Sequence, residues 1–248
     1  MKYIRPGFYF MSNNNQVVFK LNKLLDKKMA LEFLDIKRGG IDFSRGIIGV
    51  HPELKQVKFL TNRVKKMQAI SKYFDYFYRK HHIYLNKRVK EFQRDWNDIE
   101  KKFFIEATKI FKGLNLKNSR YTGYLSIIDC NPRFLHDKSF QVFYFHPQGV
   151  KFVATHEILH FLFFNYALKY FPELFRKKNT ESGIFWDLSE IFNAVMHQTK
   201  IFISLHGRVG VVAYPAHKKF LTQARKYWQK NRDIDKWILA TYKYLKEA

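Results

Sequence analysis

One stretch of this chain leaves little freedom in how the rest can fold. Residues 150–171 contain no proline or glycine and end where Pro172 disfavours further helix. Over the first two-thirds the residues are apolar almost all round the helix. A helix with no polar side has to be buried, so the rest of the chain must close around it. The apolar run 158–168 is too short to cross a bilayer, which takes about 18 residues or more. A chain of 248 residues can build that enclosure as one domain.

The flanking segments predict the layers. Val57, Leu60, Val64, Met67, Ile70, Phe74 and Phe77 recur at steps of three and four, and so do Leu85, Val89, Phe92, Trp96, Ile99 and Phe103. Both sets predict long amphipathic helices, broken near residues 79–82 and stopped at Gly113, packed as an antiparallel hairpin. His81 and His82 then fall in its exposed turn. Residues 1–50 read as short strands and turns, with a polar turn at 12–15. Segments 121–128 and 139–146 alternate like strands, separated by Asn131-Pro132 turn chemistry. A helix is expected over 187–205, ended by Gly207, and Pro215 suits the first turn of another. The expected fold class is α+β, mostly helical with a small twisted sheet. Residues 1–115 form the strand and hairpin segment, packed on a core at 116–248.

Cys130 is the only cysteine, which excludes a disulfide framework and any cysteine-built zinc finger or ribbon. A metal would have to be held by histidines and carboxylates. The buried helix offers them, because residues 156–160 read His-Glu-Ile-Leu-His. Spacing of i, i+4 puts both imidazoles on one helical face, where they can share one Zn²⁺. Glu157 lies beside them, placed to take a proton from water polarised by the metal. Three polar groups in an apolar helix need such a reason, since each costs a few kcal/mol if left unpaired.

Over this extended motif, with uncharged residues flanking it from Val153 to Leu162, the chain resembles the zincin metallopeptidases. The resemblance implies that the motif helix packs under a small sheet and that a second helix brings a third ligand. Phe163 and Tyr166 stand where the metzincin continuation needs Gly and His, so the implied arrangement is gluzincin-like, with a downstream Glu as third ligand. Glu190, thirty residues past His160, is the candidate. It shares a polar stripe with Asn193 and His197, opposite Leu188, Ile191, Phe192 and Val195. His197, Asp187 and Glu181 are the alternatives, and Asp187-x-x-Glu190 also has the spacing of a helix capping box. Ala194 replaces the Asp that many gluzincins use to orient the first histidine. Tyr214, His217 and His206 are candidates for the oxyanion donor that such sites usually carry downstream.

The implied activity is zinc-dependent hydrolysis of a peptide or protein substrate. His156, His160 and Glu190 hold the metal, Glu157 acts as general base, Tyr214 and His217 stabilise the oxyanion, and 121–128 or 139–146 holds the peptide at a sheet edge. The alternative is a non-catalytic binding or regulatory protein on the same scaffold. Its basic surface would bind a protein or a nucleic acid. With 45 Lys and Arg against 21 Asp and Glu, the net charge is +24, which could attract polyanions or be a solvated surface. The start of the chain lacks a secretory pattern, so a cytoplasmic location is expected.

Overall fold

The chain is described here from a computed structural model, covering residues 16–116, 119–210 and 213–247; the turn expected at 12–15 lies outside them. Strand β1 (Val17–Leu21) leads into helix α1 (Lys23–Phe33), which Asn22 caps by accepting from the Leu25 N–H at 3.0 Å. The expectation of only strands and turns up to residue 50 is corrected here. The Leu, Lys, Met, Ala and Glu of α1 are strong helix formers, and the asparagine cap gives them a start. A short hairpin, β2 (Lys37–Arg38) and β3 (Ile41–Asp42), then delivers the chain to α2 (Phe43–Val50).

The expected helical hairpin is also corrected: residues Arg63–Ile110 form one 48-residue helix, α3. No glycine or proline interrupts it, and its apolar stripe keeps phase across the supposed break. Tyr78 and Leu85, both buried, are seven residues apart, which is two turns. The charged turn at 79–82 therefore interrupts the composition of the stripe and leaves its geometry unchanged.

A long crossover is what parallel strand pairing requires, and α3 supplies it. Strand β4 (Tyr121–Ser126) pairs parallel to β1, with Val17 opposite Tyr121. After β5 (Arg133–Phe134), β6 (Ser139–Phe143) pairs parallel to β4 and antiparallel to β5. The sheet order is β1-β4-β6-β5, so β4 and β6 are interior. Neither can offer a free edge to a peptide, which corrects that expectation; the edges are β1 and β5.

Helix α4 (Gly149–Tyr170) is the predicted central helix, packed on α3 and β6, with Ile158, Leu159 and Phe163 fully buried. One turn, α5 (Pro172–Phe175), follows it. The helix expected at 187–205 is two: α6 (Ile184–Met196) and α7 (Lys200–His206), separated where Thr199 is extended. A 3-10 turn at Pro215–His217 opens α8 (Lys218–Asn231), and α9 (Ile234–Glu247) completes a helical layer over α6. The fold is mostly helical with a small mixed sheet. Among the described residues, no helix is long and apolar enough to cross a membrane.

Candidate metal centre

Helices α4 and α6 bring three ligand-type side chains to one point. His156 and His160 sit one turn apart on α4, and Glu190 reaches them from the second turn of α6. The helix begins at Ile184 behind Gly183, whose φ of +72° suits only a residue without a Cβ. That start places Asp187 inside the helix, where its N–H donates to Gly183 O at 2.9 Å. No capping box forms, and the Glu190 side chain is free to face α4.

The separations have a definite meaning. His160 Nε2 lies 3.0 Å from His156 Nε2 and 3.3 Å from Glu190 Oε1, and His156 Nε2 lies 3.5 Å from Glu190 Oε2. Tetrahedral bonds of about 2.0–2.1 Å put ligand atoms about 3.3–3.4 Å apart, so these separations are of the size found between ligands of one metal ion, with the two imidazoles facing different oxygens of Glu190. His160 is fully buried and Glu190 is 6% exposed. These residues fit a metal ion, and among the described residues they are the one grouping of this kind.

The three groups respond differently to their surroundings: burial would lower the His156 imidazole, but the facing Glu190 carboxylate and the neighbouring Glu157 push it up. Burial alone would raise the Glu190 carboxyl, but the facing imidazoles of His160 and His156 hold it well below the usual range. Burial pushes the His160 imidazole down to about 3, which leaves its lone pairs free to ligate. Glu157, 4% exposed, is pushed up to about 7 by burial against the pull of His156 and Arg133, and its Oε2 has no hydrogen-bond partner. His160 Nδ1 and Asn193 Oδ1 are likewise buried and unpartnered, and Ala194 offers nothing to orient the first imidazole.

The centre forms one wall of a cavity of about 640 Å³. Arg38, Phe43, Arg133, Trp186 and Tyr214 also line it. Tyr214 stacks edge-on to Trp186 and is covered by Gly39, where any Cβ would overlap its ring. Burial pushes its phenol up, so it stays a proton donor. His217 is placed differently: its Nε2 lies 2.7 Å from Asp187 Oδ1, and it is absent from the cavity wall.

The other candidates are held elsewhere. His197 stacks on His156 with ring centroids 5.5 Å apart, outside the triad of ligand atoms, and His206 packs against His197. Glu181 faces Arg38 at 3.4 Å and Arg133 at 3.9 Å. Arg133 is the residue that sequence reasoning missed. From edge strand β5 it reaches Glu190 Oε1 at 3.4 Å and Thr180 O at 3.1 Å, with its guanidinium over the Phe164 ring. No local spacing marks it, since Glu190 is 57 residues away. The only signal is general: a buried carboxylate usually has a cationic neighbour.

Comparison of the chain with protein-family models, with curated proteins and with solved structures finds no match to any of them.

Proposed function

We propose that this protein is a zincin-type peptidase that cleaves a peptide or protein substrate with Zn²⁺ held by His156, His160 and Glu190. The observation that carries the reading is the convergence of those three ligand-type side chains beside a buried Glu157 whose Oε2 has no hydrogen-bond partner. Two imidazoles and one carboxylate favour zinc over hard, oxygen-preferring cations. When bound, the metal supplies Lewis acidity toward a carbonyl and toward water.

The remaining work falls to side chains of the chain. Glu157 accepts the proton of the attacking water and returns it to the leaving amine. The Tyr214 phenol, in the cavity wall, donates to the developing oxyanion. Strand β5 is the sheet edge on the cavity side, so an extended peptide pairs there, next to Arg133. The test is hydrolysis of casein and of the chain itself by zinc-loaded protein. Glu157→Gln is expected to keep zinc and fold while losing turnover by several orders of magnitude. Near-normal turnover in that variant would refute the assignment of the base.

A further inference from the structure

The continuity of α3 changes what the positive charge can do. In the expected hairpin, its lysines would have been divided between two antiparallel rods. In one helix they align. Lys65, Lys72, Arg79, Lys87, Arg94 and Lys101 follow one another at steps of seven or eight residues. At 100° and 1.5 Å per residue they occupy an arc of about 80° and extend over about 54 Å. The arc faces away from the buried stripe of Ile70, Phe74, Leu85, Phe92 and Trp96, and all six residues are exposed.

The arc contains no carboxylate. The residues between the six on this arc are Ala69, Tyr76, Ile83, Lys90 and Asn97. Arg94 meets its neighbour Asp95 at 3.3 Å, and the other five have no carboxylate oxygen within 4 Å among the described residues. Like charges along one helix face repel one another, so their alignment lowers stability unless something offsets it.

We propose that this face of α3 binds double-stranded nucleic acid without regard to sequence. A linear row of cations matches a linear polyanion, and a duplex is as straight as the helix over about 54 Å, being stiff to about 50 nm. Lysines spaced about 10 Å apart on a rod contact phosphates and leave base edges unread. Single strands are disfavoured because the face lacks a stacking platform: Tyr76 is its only aromatic, and the Lys80 ammonium sits over that ring at 5.7 Å. A bilayer is disfavoured because the arc has no continuous apolar strip to insert.

The experiment is fluorescence anisotropy with a 24-base-pair duplex of arbitrary sequence, the same single strand, and vesicles of phosphatidylserine and phosphatidylcholine. Duplex affinity should fall with salt at a log–log slope of about −4 to −5, corresponding to about five phosphates. Changing the six named residues to Gln should reduce duplex affinity at least about a hundredfold at 100 mM salt and flatten the slope toward −1. Removing six other exposed charges, at Lys177, Lys178, Lys218, Lys226, Lys230 and Lys236, should change it less than about tenfold. Circular dichroism melts check that both variants fold, and changing only Lys65, Lys72 and Arg79 should give an intermediate slope. Equal loss in the two six-residue variants would overturn the proposal in favour of net charge alone. Stronger binding to vesicles or single strands than to the duplex, or no salt-dependent duplex binding, would also overturn it.

Discussion

Two polar clusters, one around Asp26 and one around His156, His160 and Glu190, meet the cost of burial in opposite ways. Asp26 of α1 is fully buried, and its carboxylate accepts from Tyr78 Oη at 2.5 Å, Gln141 Nε2 at 2.6 Å, Ser126 Oγ at 2.7 Å and Ile127 N at 3.1 Å. Four donors use the capacity of both oxygens and tie α1 to α3, β4 and β6. The cluster at His156, Glu157, His160 and Glu190 is buried except at His156, which is 20% exposed, yet its ligand-type groups face one another and Glu157 Oε2 has no hydrogen-bond partner. A closed network holds the fold together. The second grouping is one that could hold a metal ion.

If that contrast is real, substitutions in the two clusters should act on different quantities. Asp26→Ala strands four buried donors and should cost about 3–5 kcal/mol of stability, read from urea denaturation, with zinc affinity measured on whatever fraction folds. A loss below about 1 kcal/mol would dissolve the comparison.

The pH dependence sharpens it. Burial pushes Asp26 up to about 6 from 3.8, against the pull of its donors, so the folded state binds that proton more tightly than the unfolded state. Stability from this group is therefore complete below pH 4 and is lost as pH rises toward 6. The stability difference between wild type and Asp26→Asn should shrink across that window by up to roughly 3 kcal/mol. A difference that grows with pH would reverse the sign and contradict the assignment.

In the open cluster the same kind of change should be nearly silent for the fold. Glu157→Gln replaces an unpartnered buried carboxylate with a neutral amide, and metal-free stability should stay within about 1 kcal/mol of wild type or rise. A modest effect is also expected beside Tyr214. Gly39→Ala puts a Cβ into the Tyr214 ring at a φ of +59° and should cost about 1 kcal/mol in thermal melts while lowering turnover through displacement of the phenol.

How much of this was legible beforehand follows from the range over which each feature is encoded. His156, Glu157 and His160 lie within five residues, so helical spacing alone aligns them. Glu190 needed the resemblance, because nothing local separates a ligand from a capping residue; the start of α6 at Ile184 decides against the cap. Arg133 was invisible, since its meeting with Glu190 depends on the antiparallel pairing of β5 with β6. The α3 hairpin was expected from a charged turn, although a phase of seven between Tyr78 and Leu85 already favoured one rod. Parallel pairing of β1 with β4 spans about a hundred residues and leaves no local trace.

The central claim is that His156, His160 and Glu190 form one metal site, and zinc titration by calorimetry tests it most directly. Wild type should bind one equivalent, and zinc in excess should raise the melting temperature, because binding to the folded state alone stabilises it. Glu190→Gln should weaken binding at least about a hundredfold, and His197→Ala, which removes a ring packed on Phe152, His156 and His206 and no ligand, should leave it within about threefold. The opposite ranking of the two variants, or no zinc uptake by folded wild type, would contradict the site.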